Sequence, residues 1–112
     1  MKTGALHVSL LDALAKGPPP AGNLAVPIFT RESIVVEMYT PRQIDPQTPH
    51  DRDEVYLVAR GQAWFFDGAT RTRVEAGAFL FVPAGQLHRF EDFPDDFATW
   101  VLFYGPAGGD GP

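Results

Sequence analysis

Three side chains in this sequence have the types and spacing to hold a cation or move a proton. His50 and Glu54 lie four residues apart in Gln47-Thr-Pro-His50-Asp-Arg-Asp-Glu54-Val-Tyr-Leu-Val-Ala-Arg-Gly61. In an extended chain an even separation puts both on one face, so an imidazole and a carboxylate converge. That pair suits a divalent ion such as Fe, Mn, Ni or Zn. Thr48-Pro-His50-Asp51 also reads as a helix start, with Thr48 as cap and Pro49 at the first position. The run Val55-Tyr-Leu-Val58 that follows favours a strand. The third side chain, His88, closes the segment Gly77-Ala-Phe-Leu-Phe-Val-Pro83-Ala-Gly85-Gln-Leu-His88. Two turns bracket an apolar strand there and deliver one histidine at a fixed place. His7, in an isolated apolar context, reads as a packed or surface residue.

The elements that must position these residues are short strands. Apolar runs fall at 26–30, 33–40, 54–59, 62–66, 70–75, 79–82, 87–91 and 97–104. Turn signals separate most of them: Arg60-Gly61, Asp67-Gly68, Ala76-Gly77, Pro83-Ala84-Gly85 and Pro94. Strands this short and close predict an all-β sandwich or barrel. Ahead of them, Ser9 to Lys16 predicts a two-turn helix, capped by Ser9, stopped by Gly17 and Pro18–Pro20, with Leu10, Leu11 and Leu14 as its apolar stripe. Several strands are apolar on both faces: Phe97–Tyr104 offers Phe97, Val101 and Phe103 one way and Ala98, Trp100, Leu102 and Tyr104 the other. The second face needs a cover, either the N-terminal arm or a second subunit, and a homodimer is the expected form.

Composition narrows the function classes. At 112 residues and a net charge of −5, the chain is one domain that repels nucleic-acid phosphates and anionic lipid. No nucleic-acid or membrane partner is expected. The absence of cysteine excludes disulfides, thiol catalysis and Cys-based zinc sites. No stretch reads as a signal peptide or a membrane span, so a cytoplasmic location is the expectation. The acidic run Glu91–Asp96 reads as a solvated loop, as do Asp51, Arg52 and Asp53. Seven arginines stand against two lysines. Arg71 and Arg73 read as the wet face of a hairpin, and Arg42, Arg60 and Arg89 lie near the chemical segments, where surface solvation is the simpler reading than anion binding.

Together the two segments resemble the paired motifs of the cupin superfamily. In the first, Glu54 and Gly61 match the family's second half with six residues between them, and His50 matches its second histidine. In the second, Gly77, Pro83, Gly85 and His88 match without a gap. The departures are Thr48 at the place of the family's first histidine, Ile44 near its leading glycine, and Asp92 at its closing asparagine.

The resemblance implies a double-stranded β-helix, or jelly-roll barrel, over residues 26–105, with an N-terminal arm over 1–25 and a flexible tail over 106–112. It implies a divalent metal on His50, Glu54 and His88, with Gln47 or Gln43 as candidates for a fourth oxygen. Loss of the metal, marked by Thr48, is the competing reading. Parity from Glu54 puts Tyr56 and Val58 on the inner face, and the same rule groups Gln86, His88 and Phe90. Met38, Tyr56, Trp64, Phe81, Phe90 and Trp100 are the expected pocket walls, with Tyr39 and Phe66 as further candidates. Tyr56 is the one candidate general base. The functional expectation is metal-dependent chemistry on a small organic molecule, of dioxygenase, isomerase or decarboxylase type. The alternative is a non-catalytic ligand-binding or sensor barrel. A cupin that controls transcription usually carries an attached DNA-binding helix pair, which this sequence does not suggest.

Overall fold

Glycine and proline break the chain often enough that no strand exceeds eight residues. The computed structural model describes residues 4–17, 19 and 24–109. One helix, α1 (Leu10–Ala15), precedes eight strands: β1 (Ala25–Arg31), β2 (Ile34–Tyr39), β3 (Asp53–Arg60), β4 (Gln62–Phe66), β5 (Arg71–Glu75), β6 (Phe79–Val82), β7 (Arg89–Glu91) and β8 (Ala98–Tyr104). All the pairings are antiparallel. A five-stranded sheet runs β1-β2-β8-β3-β6, and a three-stranded sheet runs β5-β4-β7. The expected eight strands therefore form, with boundaries shifted by at most two residues. Among the described residues no helix is long and apolar enough to cross a membrane.

The main core lies between the sheets. Tyr39, Tyr56, Val58, Ala63, Phe65, Val74, Val82, Phe90, Phe97 and Val101 form one buried cluster. Edge-to-face contacts bind its rings, with Tyr56 and Phe90 centroids 5.0 Å apart at 83°. Gly61, at φ +81°, turns the chain from β3 into β4 where a side chain would press on Phe97 Cα, 3.3 Å from an added Cβ.

A second, smaller cluster covers the outer face. Ala13 of α1 is fully buried against Met38, Ala98 and Trp100, with Val8, Leu10, Leu14 and Ile28 beside it. Ser9 caps the helix by accepting from the Asp12 N–H at 3.0 Å. The helix's buried stripe differs from the expected one. Leu11 is 70% exposed, and Ala13 joins Leu10 and Leu14 on the docked face, Ala13 and Leu14 lying three and four residues along the helix from Leu10. The expected stop at Pro18 and Pro20, and the arm at 1–3 and 21–23, lie outside the described residues.

The described residues of the arm cover only part of this face. Leu57, Phe79 and Phe81, at the β3–β6 edge, remain 40%, 63% and 49% exposed. After β8, Gly108 N–H donates to the Asp51 carbonyl at 2.6 Å. The last three tail residues, 110–112, lie outside the described residues.

Candidate metal centre and barrel pocket

His50 sits in the loop ahead of β3, one turn before Glu54 enters the strand. Glu54 and Tyr56 point inward because they alternate with the outward Val55 and Leu57. His88 arrives from the second turn. In that turn Gln86 N–H donates to the Pro83 carbonyl, and Gly85 adopts φ +84°. A turn with positive φ at its third residue favours glycine. An added Cβ at Gly85 would meet nothing within 4 Å, so backbone conformation alone sets the requirement. Gly85 N–H in turn donates to the His50 carbonyl at 2.7 Å, and Ala84 N–H to Asp53 Oδ1 at 2.9 Å.

These ties bring the three expected ligands together. One ligand atom from each of His50, Glu54 and His88 lies within 4.8 Å of the others. Glu54 Oε1 is 3.2 Å from His50 Nδ1 and 2.9 Å from His88 Nε2. His88 Nδ1 donates to the Gln86 carbonyl at 2.9 Å, which fixes Nε2 as the nitrogen that faces the cluster. Burial disfavours charge on both partners, yet their mutual attraction wins. The His50 and His88 bonds hold the Glu54 carboxyl below the ordinary range, and the Glu54 bond holds His88 above it.

The donor set fits a divalent cation. Glu54 Oε2 is buried and has no hydrogen-bond partner among the described residues. A buried carboxylate oxygen without a donor is costly, and a cation supplies what it lacks. Two imidazoles and a carboxylate are also the ligand types of open transition-metal sites.

A second set of groups, anchored by Asp45, adjoins the cluster. Asp45 is 8% exposed and escaped the sequence reading, because a lone Asp before a proline looks like a turn residue. It accepts from Tyr39 Oη, from Gln47 N and Nε2 at 3.2 and 2.8 Å, and from the Phe90 N–H at 2.8 Å. The Gln47 amide is thereby oriented with Oε1 toward Tyr56, whose hydroxyl donates to it at 2.8 Å. Tyr56 Oη is also 3.0 Å from His88 Nε2. Of the fourth-ligand candidates, Gln47 stands nearest the cluster, Thr48 is exposed, and Gln43 is exposed beside Arg89 and Asp92. Burial and the Glu54 charge push the Tyr56 phenol well up, so it keeps its proton and donates a hydrogen bond to Gln47.

The pocket walls need correction. Tyr56 and Phe90 face the interior as expected. Met38 and Trp100 face outward beneath α1. Trp64 stacks outside under Arg71 and Arg73, with Arg71 4.9 Å from its ring. Phe81 lies on the exposed outer edge, and Phe66 lies under Arg89. Bulk and aromaticity do not reveal which side of a two-faced strand is inner. The unforeseen inner residue is Phe65, 6.2 Å from the His88 ring, which alternation with the outward Trp64 could have found. The cavity itself, about 280 Å³, is lined by Leu24, Glu37, Tyr39, Gln47, His50 and Phe103 among others.

The arginines serve structure. Arg71 and Arg89 pair with Glu91, and Arg71 also with Asp92, so the acidic run is partly neutralised. Arg42 and Arg60 line a different groove, about 650 Å³, beside α1. Within the expected solvated loop, Arg52 donates to the Gly105 carbonyl at 3.1 Å and Asp53 is buried.

Comparison with known proteins agrees with this fold. Residues 33–107 match the family described as the AraC-like ligand binding domain. An uncharacterized protein of Streptomyces coelicolor is 40% identical over 62 residues, 55% of this chain and 59% of that protein. The match thus spans about three-fifths of that relative. A double-stranded β-helix protein from Klebsiella pneumoniae superposes with a TM-score of 0.70 at 18% identity, over 91% of this chain and 95% of that one. A cupin-2 domain protein from Shewanella frigidimarina gives a TM-score of 0.68 at 14% identity, over 88% and 94%. At these identities the two structures establish the fold alone. The chain belongs to the AraC-like ligand binding domain family and has the fold of the cupin structures.

Proposed function

We propose that this barrel holds a divalent metal on His50, Glu54 and His88 and uses it to act on a small organic molecule. The observation that carries the reading is Glu54 Oε2, a buried oxygen without a donor beside two imidazoles. A metal there would polarise a substrate oxygen or bind O₂. The chain's own groups prepare that site. Glu54 gathers both imidazoles, the Gln86 carbonyl sets the His88 tautomer, and Asp45 holds the Gln47 amide so that its Oε1 meets Tyr56, whose hydroxyl adjoins His88. The Tyr56 phenol, held protonated, donates to Gln47 Oε1 and keeps that amide in place. The aromatic wall of Phe65 and Phe90 limits water behind the cluster.

Calorimetric titration of the metal-stripped protein with Zn²⁺ tests the reading. One site per chain in the wild type and none in His88→Ala is the expected result. Saturation by Zn²⁺ that is indifferent to His88→Ala contradicts it.

A second reading has its own support. The matched family is described by ligand binding and not by a reaction. A binding or sensor barrel gives thermal stabilisation by its ligand with no product, whereas an enzyme loses turnover in His88→Ala while keeping its fold.

We also propose a homodimer. The exposed Phe79 and Phe81 lie on the edge strand β6 and Leu57 on its neighbour β3, and a second copy would cover the edge and these side chains together. Phe79→Ser with Phe81→Ser should convert a dimer to a monomer in light scattering; a monomeric wild type contradicts the proposal.

A further inference from the structure

The cavity beside the cluster carries an acceptor that the described chain leaves unused. Glu37 lies on the inner face of β2, in register with Pro27 on β1 and Val101 on β8. It lines the 280 Å³ cavity with His50, Tyr39 and Gln47. Its neighbours there have partners: Tyr39 Oη and the Gln47 side-chain N–H are both taken by Asp45, and Gln47 Oε1 is taken by Tyr56. The Glu37 side chain makes no hydrogen bond or ion pair with the described residues, and its one electrostatic neighbour is His50. Half-burial without a donor lifts its carboxyl above the ordinary range, an effect the His50 charge offsets only in part.

The rest of the wall defines what fits. Pro27, Pro46, Leu24, Val101 and Phe103 are apolar, and no described Arg or Lys lines the cavity. Apart from His50, nothing on that wall would pair an incoming carboxylate or phosphate, and Glu37 would repel one. The volume is at the small end for ligand pockets, room for a small metabolite and not a dinucleotide.

We propose that Glu37 is the specificity residue of this pocket. It accepts a hydrogen bond from a hydroxyl or ammonium group of a small ligand whose apolar body lies against Pro27, Val101 and Phe103. It turns away ligands that present an anionic group at that point. The inference rests on the reading that the barrel takes a small molecule, but not on the metal.

Three near-isosteric probes test it on metal-free protein: tert-butylammonium, tert-butanol and pivalate. Amide chemical-shift titrations give both the place of binding and the affinity. In the wild type, tert-butylammonium, tert-butanol or both should bind at the cavity about tenfold tighter than pivalate. The two preferred arms distinguish a charged ligand group from a neutral one. In Glu37→Gln the preference should fall to within about threefold, and in Glu37→Lys it should invert toward pivalate. Retained amide dispersion certifies the fold of each variant. Equal binding of all three probes, or a preference unchanged in Glu37→Gln, overturns the role of Glu37 and leaves the pocket standing. No shift at cavity residues with any probe overturns both the role and the pocket.

Discussion

The backbone N–H of Gly85 donates to the carbonyl of His50 at 2.7 Å. Two segments 35 residues apart in sequence, each carrying candidate ligands, are joined by that bond. The cluster is therefore held by backbone as well as by its own side chains. Gly85 has open space around an added Cβ but a φ of +84°. Gly85→Ala should cost about 1–2 kcal/mol through conformation alone. Urea denaturation at unchanged m-value reads that loss directly, and a variant as stable as the wild type would refute it.

The Glu54–His88 pair gives the metal-free protein a pH signature. Glu54 titrates below its ordinary 4.5, so its stabilisation is complete above that value and is lost as pH falls through the folded pKa. His88 titrates above its ordinary 6.5, so its contribution is complete below that value and is lost as pH rises through the folded pKa. Both contributions coexist between about 4.5 and 6.5. Metal-free wild type should show its stability excess over Glu54→Gln in that window, shrinking on either side. Thermal melts across pH of both proteins check the shape, and parallel curves would contradict it.

Metal reverses the alkaline limb. A proton and a cation compete for His88 Nε2, so binding strengthens as pH rises. The increase in Tm on adding Zn²⁺ should be larger at alkaline than at mildly acidic pH. An equal increase at both would count against His88 as a ligand.

Asp45 makes the strongest stability prediction. Asp45→Ala leaves Tyr39 Oη, the Gln47 side-chain amide and the Phe90 N–H without their acceptor. The loss should reach about 3 kcal/mol or more, since each buried orphan costs roughly 1–3 kcal/mol. Tyr39→Phe removes one donor while Gln47 N–H still serves the same oxygen, and should cost only about 1 kcal/mol. Equal losses in the two variants would mean that the network is not organised around Asp45.

How far the sequence could be read follows from what kind of regularity each feature has. Turn residues such as Gly61 and Gly77 are local signals, so the eight strands and their order of appearance were legible. The motif spacing of Glu54, Gly61, Gly77, Pro83, Gly85 and His88 is equally local, and it led to the three residues that the fold gathers. Strand facing was not legible where both faces are apolar. Trp64 and Phe65 are adjacent and aromatic, and only the fold shows that Phe65 faces inward. Met38 and Trp100 were misplaced for the same reason, since their cover is α1, a distant element. Asp45 and Glu37 could not be seen as a buried anchor and a pocket wall, because each is defined by partners from other strands.

The central claim is that His50, Glu54 and His88 form one metal site. The most direct measurement is elemental analysis of the purified protein beside His50→Ala and His88→Ala, each checked for retained fold. About one Fe, Mn, Ni or Zn per chain in the wild type, lost in both variants, is the predicted result. A wild type that holds no metal even after reconstitution, or variants that keep it, would contradict the account.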